Sequence, residues 1–149
     1  MDRIYKIISI LVISFGLSYI SYKIESSFVD KFAENTLALL TTLFAINIAS
    51  STLIAGKVRE IQDKTGLNFK KTKTELRRSF YTQITLIIIA VIFGILRESK
   101  ESLFLFDLNE LKLFCDTILF FCFICYVDII KDIGLGLFDL LDFDNNETK

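Results

Sequence analysis

The sequence predicts an all-α integral membrane protein: a four-helix bundle with both termini in the cytoplasm and a helical cytoplasmic hairpin between spans 2 and 3. Three observations carry this expectation. Apolar residues make up 52% of 149 residues, mean hydropathy is +0.51, and the apolar residues are stacked in four long runs rather than dispersed at the period of a soluble domain. The charged residues, 23% of the chain, avoid those runs. Proline is absent, so nothing forces a helix to break. Four spans in this length leave no room for a separate catalytic domain, and residues 1–149 read as one transmembrane unit.

Each span is judged against the ~20 apolar residues that a helix needs to cross a hydrocarbon layer of about 30 Å. Span 1 covers about residues 4–22, with Lys6 at its edge, where a long side chain can reach the headgroups. Arg3 and Lys6 ahead of an apolar run also fit a signal-peptide n-region, but no A-x-A pattern follows Ser18 and Ser21, so the run is kept as a span. Span 2 covers about 35–56 and is free of formal charge from Leu37 to Gly56. Span 3, about 80–96, is the shortest and opens with Phe80 and Tyr81, aromatics suited to an interface. Span 4, about 111–130, carries Asp116 and Asp128, which are about 18 Å apart at helical rise, one near each interface. Gly134 and Gly136 predict the end of helix 4, followed by an acidic cytoplasmic tail over 131–149. Residues 98–112 read as an outer amphipathic helix with Ser102 as its cap.

Orientation follows from the lysines and arginines of the short connections. The segment 57–79 holds eight: Lys57, Arg59, Lys64, Lys70, Lys71, Lys73, Arg77 and Arg78, against Glu60, Asp63 and Glu75. With this segment inside, twelve of the 17 basic residues lie in the cytoplasm, which places both termini there. Thr65-Gly66-Leu67-Asn68 supplies a turn, and the segment reads as a helical hairpin projecting from the membrane. Its charge has three explanations: topology alone, attraction to anionic lipid, or a docking surface for a soluble, acidic partner.

Small and polar residues mark helix contacts in lipid, where close backbone approach and interhelical hydrogen bonds replace water expulsion. On helix 2, Ala38, Thr41, Ala45, Ala49, Thr52 and Gly56 form one stripe, read as a packing face, while Thr36, Asn47, Ser50 and Ser51 lie opposite. Helix 2 is therefore expected at the centre. Helix 1 offers Ser14 and Ser18, and helix 3 offers Gln83, Ala90 and Gly94. Helix 2 either uses both faces within one protomer or turns one, Asn47 in particular, towards copies of itself; in the second case Asn47 and Thr41 line a polar path, and the chain is an autonomous channel.

Chemistry is limited by composition. There is no histidine, hence no imidazole base, no histidine-ligated metal and no Ser-His or Cys-His nucleophile. Catalytic residues, cofactor and metal are all expected to be absent. Cys115, Cys122 and Cys125 share helix 4, and an i, i+3 pair there is poorly placed for a disulfide, so they read as packing residues. The net charge of −1 gives no reason to expect direct nucleic-acid binding.

The stretch LALLTTLFAINIASSTLIAGKVREIQ, a small-residue-rich span running into a charged helix, completes a pattern of four spans, a polar second span and a basic hairpin. This architecture resembles the small membrane subunits of phage-exclusion and anti-phage systems, such as those of the Kiwa and lambda Rex systems. The resemblance implies a non-enzymatic bacterial inner-membrane protein that forms a homo-oligomer, works with a soluble cytoplasmic protein, and senses or alters the membrane on infection.

Overall fold

The computed structural model describes residues 2–24, 27–98 and 107–147. Among them the chain forms four helices: α1 (Asp2–Lys23), α2 (Ser27–Thr65), α3 (Lys70–Arg97) and α4 (Leu108–Glu147). Each is long and apolar enough to cross a membrane. The expected turn is present at Gly66, whose φ of 71° requires a residue without Cβ strain, and Asn68 Oδ1 accepts from the Lys70 N–H at 2.9 Å to start α3. Of the segment 98–112, residues 99–106 lie outside the described residues, and Leu108 onward already belongs to α4.

Helices consecutive in the chain run antiparallel, which leaves α2 and α4 parallel where they pack. Asn47 meets Gln83 in the middle of α2 and α3, Arg97 at the end of α3 meets Asp30 at the start of α2 and Asp116 in the first third of α4, and Lys6 at the start of α1 meets Asp128 at the middle of α4. The helix at the centre is α4, not α2 as expected. It packs extensively on the other three, whereas α1 barely touches α2. The reason lies in side-chain size and shape on α4: Cys115, Leu119, Cys122 and Tyr126 are fully buried at helical spacing on it, and Leu119, Cys122 and Tyr126 interlock with Leu40 of α2 and Leu86 and Ala90 of α3. Phe32 of α2 stacks on Phe120 at 4.4 Å and meets Phe123 edge-on at 5.3 Å. From α1 only Ser14 and Ser18 are buried among the described residues, so this helix is held by a narrow small-residue seam.

Helix α4 also corrects the expected stop at Gly134 and Gly136. It continues through both to Glu147. A second apolar cluster explains this: Ile54, Val58 and Ile133 pack together, flanked by Phe69, Leu76, Ile129, Leu137 and Leu140. Full burial of one such aliphatic side chain from water is worth about 1.5–3 kcal/mol. A helical glycine costs only about 1 kcal/mol relative to alanine, so the packing prevails. The hairpin is thus two arms of a three-helix extension.

Candidate functional site

The densest buried polar chemistry lies where α2, α3 and α4 meet. Asn47 and Gln83 are 1% and 0% exposed. Asn47 Nδ2 donates to Gln83 Oε1 at 2.6 Å, and the Tyr126 hydroxyl donates to the same oxygen at 3.3 Å. One acceptor therefore joins three helices. One turn towards the hairpin, Ser51 on α2 and Ser79 on α3 follow. Their hydroxyls, together with Asn47 Oδ1 and Gln83 Nε2, have no hydrogen-bond partner among the described residues. Unpaired buried polar groups are costly, so this layer holds polarity that the local packing alone does not satisfy.

The two faces of α2 differ completely in their surroundings. Thr36, Asn47 and Ser51 point into the bundle, whereas Ala38, Thr41, Ala45, Ala49, Thr52 and Gly56 are exposed. On the exposed face the hydroxyls are turned back onto the helix: Thr41 donates to the Leu37 carbonyl at 2.9 Å and Thr52 to the Ile48 carbonyl at 2.8 Å. What remains outward is a smooth, low-relief strip along the length of span 2. Of the other residues expected at helix contacts, Gln83 and Ala90 are buried, while Ser50 and Gly94 are half-buried. Asn47 and Thr41 lie on opposite sides of α2 and share no surface of the protomer.

Ion pairs close the two ends. At the end away from the hairpin, Arg97 bonds Asp116 through Nε and Asp30 through a terminal guanidinium nitrogen, and Lys112 joins Asp30 at 2.8 Å. The Arg97 and Asp116 side chains are 11% and 9% exposed. At the other end Lys6 pairs with Asp128, which Lys131 also reaches at 3.2 Å. The sequence set Asp116 and Asp128 near the two ends of span 4 without naming their partners. The available signal was the position of Arg97 and Lys6, each the cation nearest the edge of an apolar run.

On the hairpin, Lys57 and Lys64 bracket Glu60 at 3.0 and 2.8 Å and hold its carboxyl at about 2, far below the usual carboxylate range, chiefly through the hydrogen bond from Lys64. Lys73 donates to Gln62 at 3.0 Å, tying the two arms together. Arg59, Lys70, Lys71, Arg77 and Arg78 form no ion pair among the described residues. Among the same residues no group of histidine, cysteine, aspartate and glutamate side chains is placed to hold a metal ion, and the three cysteines are free. No protein-family model matches the chain, and neither a curated protein nor a solved structure matches it.

Proposed function

We propose that this chain is a non-enzymatic, self-associating subunit of the bacterial inner membrane that acts with a soluble cytoplasmic partner in anti-phage defence, sensing or altering the membrane. The observation that carries self-association is the division of labour on α2. Its polar face is used up inside the protomer, while the stripe from Ala38 to Gly56 stays uncovered. Small residues allow backbones to approach closely, and in lipid that approach is the main source of helix association. The excess of basic residues on the hairpin supports a cytoplasmic position for it. There Arg59, Lys70 and Lys71, which form no ion pair among the described residues, are the docking surface, and an acidic soluble protein is the complementary partner.

The defence role rests on the architectural resemblance to the Kiwa and lambda Rex membrane subunits. An autonomous pore is the weaker reading, because Asn47 is already bonded to Gln83 and would have to leave it to face an axis.

Cysteine cross-linking in native membranes tests the interface. With the three native cysteines replaced by alanine, Ala45→Cys or Ala49→Cys should give disulfide-linked dimers on mild oxidation, and Ser14→Cys, buried against α4, should not. Equal cross-linking at all three positions, or none at the α2 positions, would remove α2 as the contact.

A further inference from the structure

A shallow groove on α3, facing away from the bundle, is lined by Thr74, Arg77, Arg78, Tyr81, Thr82 and Thr85. From it an apolar track continues along the same side of the helix: Ile84, Ile88, Ile92 and Ile95 are all exposed. The core residues of α3, Gln83, Leu86 and Ala90, lie on the opposite side. Two guanidinium groups thus stand at the head of an aliphatic strip, with a tyrosine at the junction. We infer that this face binds one anionic phospholipid, its phosphodiester held by Arg77, Arg78 and the Tyr81 hydroxyl and one acyl chain lying on the isoleucines.

Charge, depth and shape agree on this occupant. Neither arginine is neutralised by a carboxylate among the described residues, in contrast to Lys57, Lys64, Arg97 and Lys112 elsewhere. Their planar forks match a phosphodiester in two-point contact, which an ammonium cannot do. Tyr81 sits where an amphipathic ring marks the boundary between headgroup and hydrocarbon. Thr74, Thr82 and Thr85 donate their hydroxyl hydrogens to the carbonyls of Lys70, Arg78 and Tyr81, so outward they offer only acceptor oxygens. A headgroup with hydroxyl donors suits that lining, which makes phosphatidylglycerol the fitting probe. An acidic protein would satisfy the arginines but leave the isoleucine track uncovered. The inference rests on the membrane reading but needs neither the oligomer nor the soluble partner.

The test uses the full chain in nanodiscs. The chain has no tryptophan, so Ile84→Trp supplies a single apolar fluorophore at the head of the track and leaves Arg77, Arg78 and Tyr81 in place. Brominated phosphatidylglycerol diluted into phosphatidylcholine should quench it well beyond its bulk fraction, and brominated phosphatidylcholine only in proportion to its fraction. Native mass spectrometry then measures retention of phosphatidylglycerol by the unsubstituted chain. Arg77→Gln/Arg78→Gln should weaken retention about thirtyfold, at the usual worth of two interfacial basic residues. Lys70→Gln/Lys71→Gln removes the same charge away from the track and should have a several-fold smaller effect. If the two charge-equal variants lose retention equally, or inorganic phosphate displaces the lipid, or both brominated lipids quench alike, the site is not the one described. Should the glutamine variant fail to fold, Arg77→Lys/Arg78→Lys keeps the charge and must still weaken retention by losing the two-point contact. Resistance to alkaline extraction from membranes checks insertion separately, so failure of the lipid site is distinct from failure of the membrane reading.

Discussion

Replacing Gln83 by leucine isolates the buried polar layer. It removes the one acceptor shared by Asn47 Nδ2 at 2.6 Å and the Tyr126 hydroxyl at 3.3 Å. The second bond is at the long end of the useful range, so most of the loss falls on Asn47. A buried donor left unpaired costs about 1–3 kcal/mol, but interhelical hydrogen bonds in membranes average about 0.6 kcal/mol with a maximum near 1.7, because unfolded helices in lipid find other partners. The leucine also removes Gln83 Nε2, which has no partner to lose. These terms place Gln83→Leu at a cost of about 1–2 kcal/mol. The double-mutant cycle with Asn47→Leu should return a coupling of about 0.6–1.7 kcal/mol, since Gln83→Leu strands Asn47 Nδ2 and Asn47→Leu leaves Gln83 Oε1 with only the long bond from Tyr126. Reversible unfolding in mixed detergent micelles, followed by circular dichroism or steric trapping, measures all four corners. A coupling within ~0.3 kcal/mol of zero, the additivity expected of independent sites, would refute the bond as a tie between α2 and α3.

Three further outcomes follow from the same structure. Asp116→Leu strands the mostly buried Arg97 and should cost about 3–5 kcal/mol, less whatever Asp30 recovers; Asp30→Asn, at a half-exposed position, should cost under about 1 kcal/mol, and the reverse order in unfolding experiments would count against the Arg97–Asp116 pair. Gly134→Ala and Gly136→Ala should each raise stability by about 0.5–1 kcal/mol, because a Cβ at either position meets nothing within 4 Å and the helix runs through both; a fall in helix content or thermal midpoint would show that α4 stops there. Glu60 should titrate at about 2 instead of near 4.5 in a carboxyl carbon NMR titration. Its folded value is depressed, so its contribution is present above the ordinary carboxylate range and is lost as pH falls through about 2; high salt should move the midpoint back up, and an unshifted, salt-insensitive midpoint would mean that Lys57 and Lys64 do not hold it.

The elements were largely legible in the sequence, because hydrophobic run length and the absence of proline act locally. The turn at Gly66 and Asn68 was legible for the same reason. The extent of α4 was not. Gly134 and Gly136 signal a stop only when nothing opposes it, and what opposes it is contact with Val58, Phe69 and Leu76, distant in sequence. The placement of α2 failed on a related point. A helix in lipid can cover either face, so a small-residue stripe and a polar stripe on the same helix look equally suited to the interior. The choice is made by Gln83, whose Oε1 accepts from Asn47 Nδ2 inside the bundle and is held there by a second bond from the Tyr126 hydroxyl. The sequence marks Gln83 as a contact residue, but no spacing rule links it to Asn47. The ion pairs at the two ends needed the helix register, which was set only once Lys6, Asp30 and Arg97 found their partners.

The most direct test of the proposed role is native mass spectrometry of the protein released from bacterial membranes under mild conditions. The account predicts a closed homo-oligomer carrying one soluble protein in fixed stoichiometry, dissociated by neutralising Arg59, Lys70 and Lys71 and reduced to protomers by bulky substitution at Ala45. A bare monomer under conditions that preserve the helical fold would contradict it.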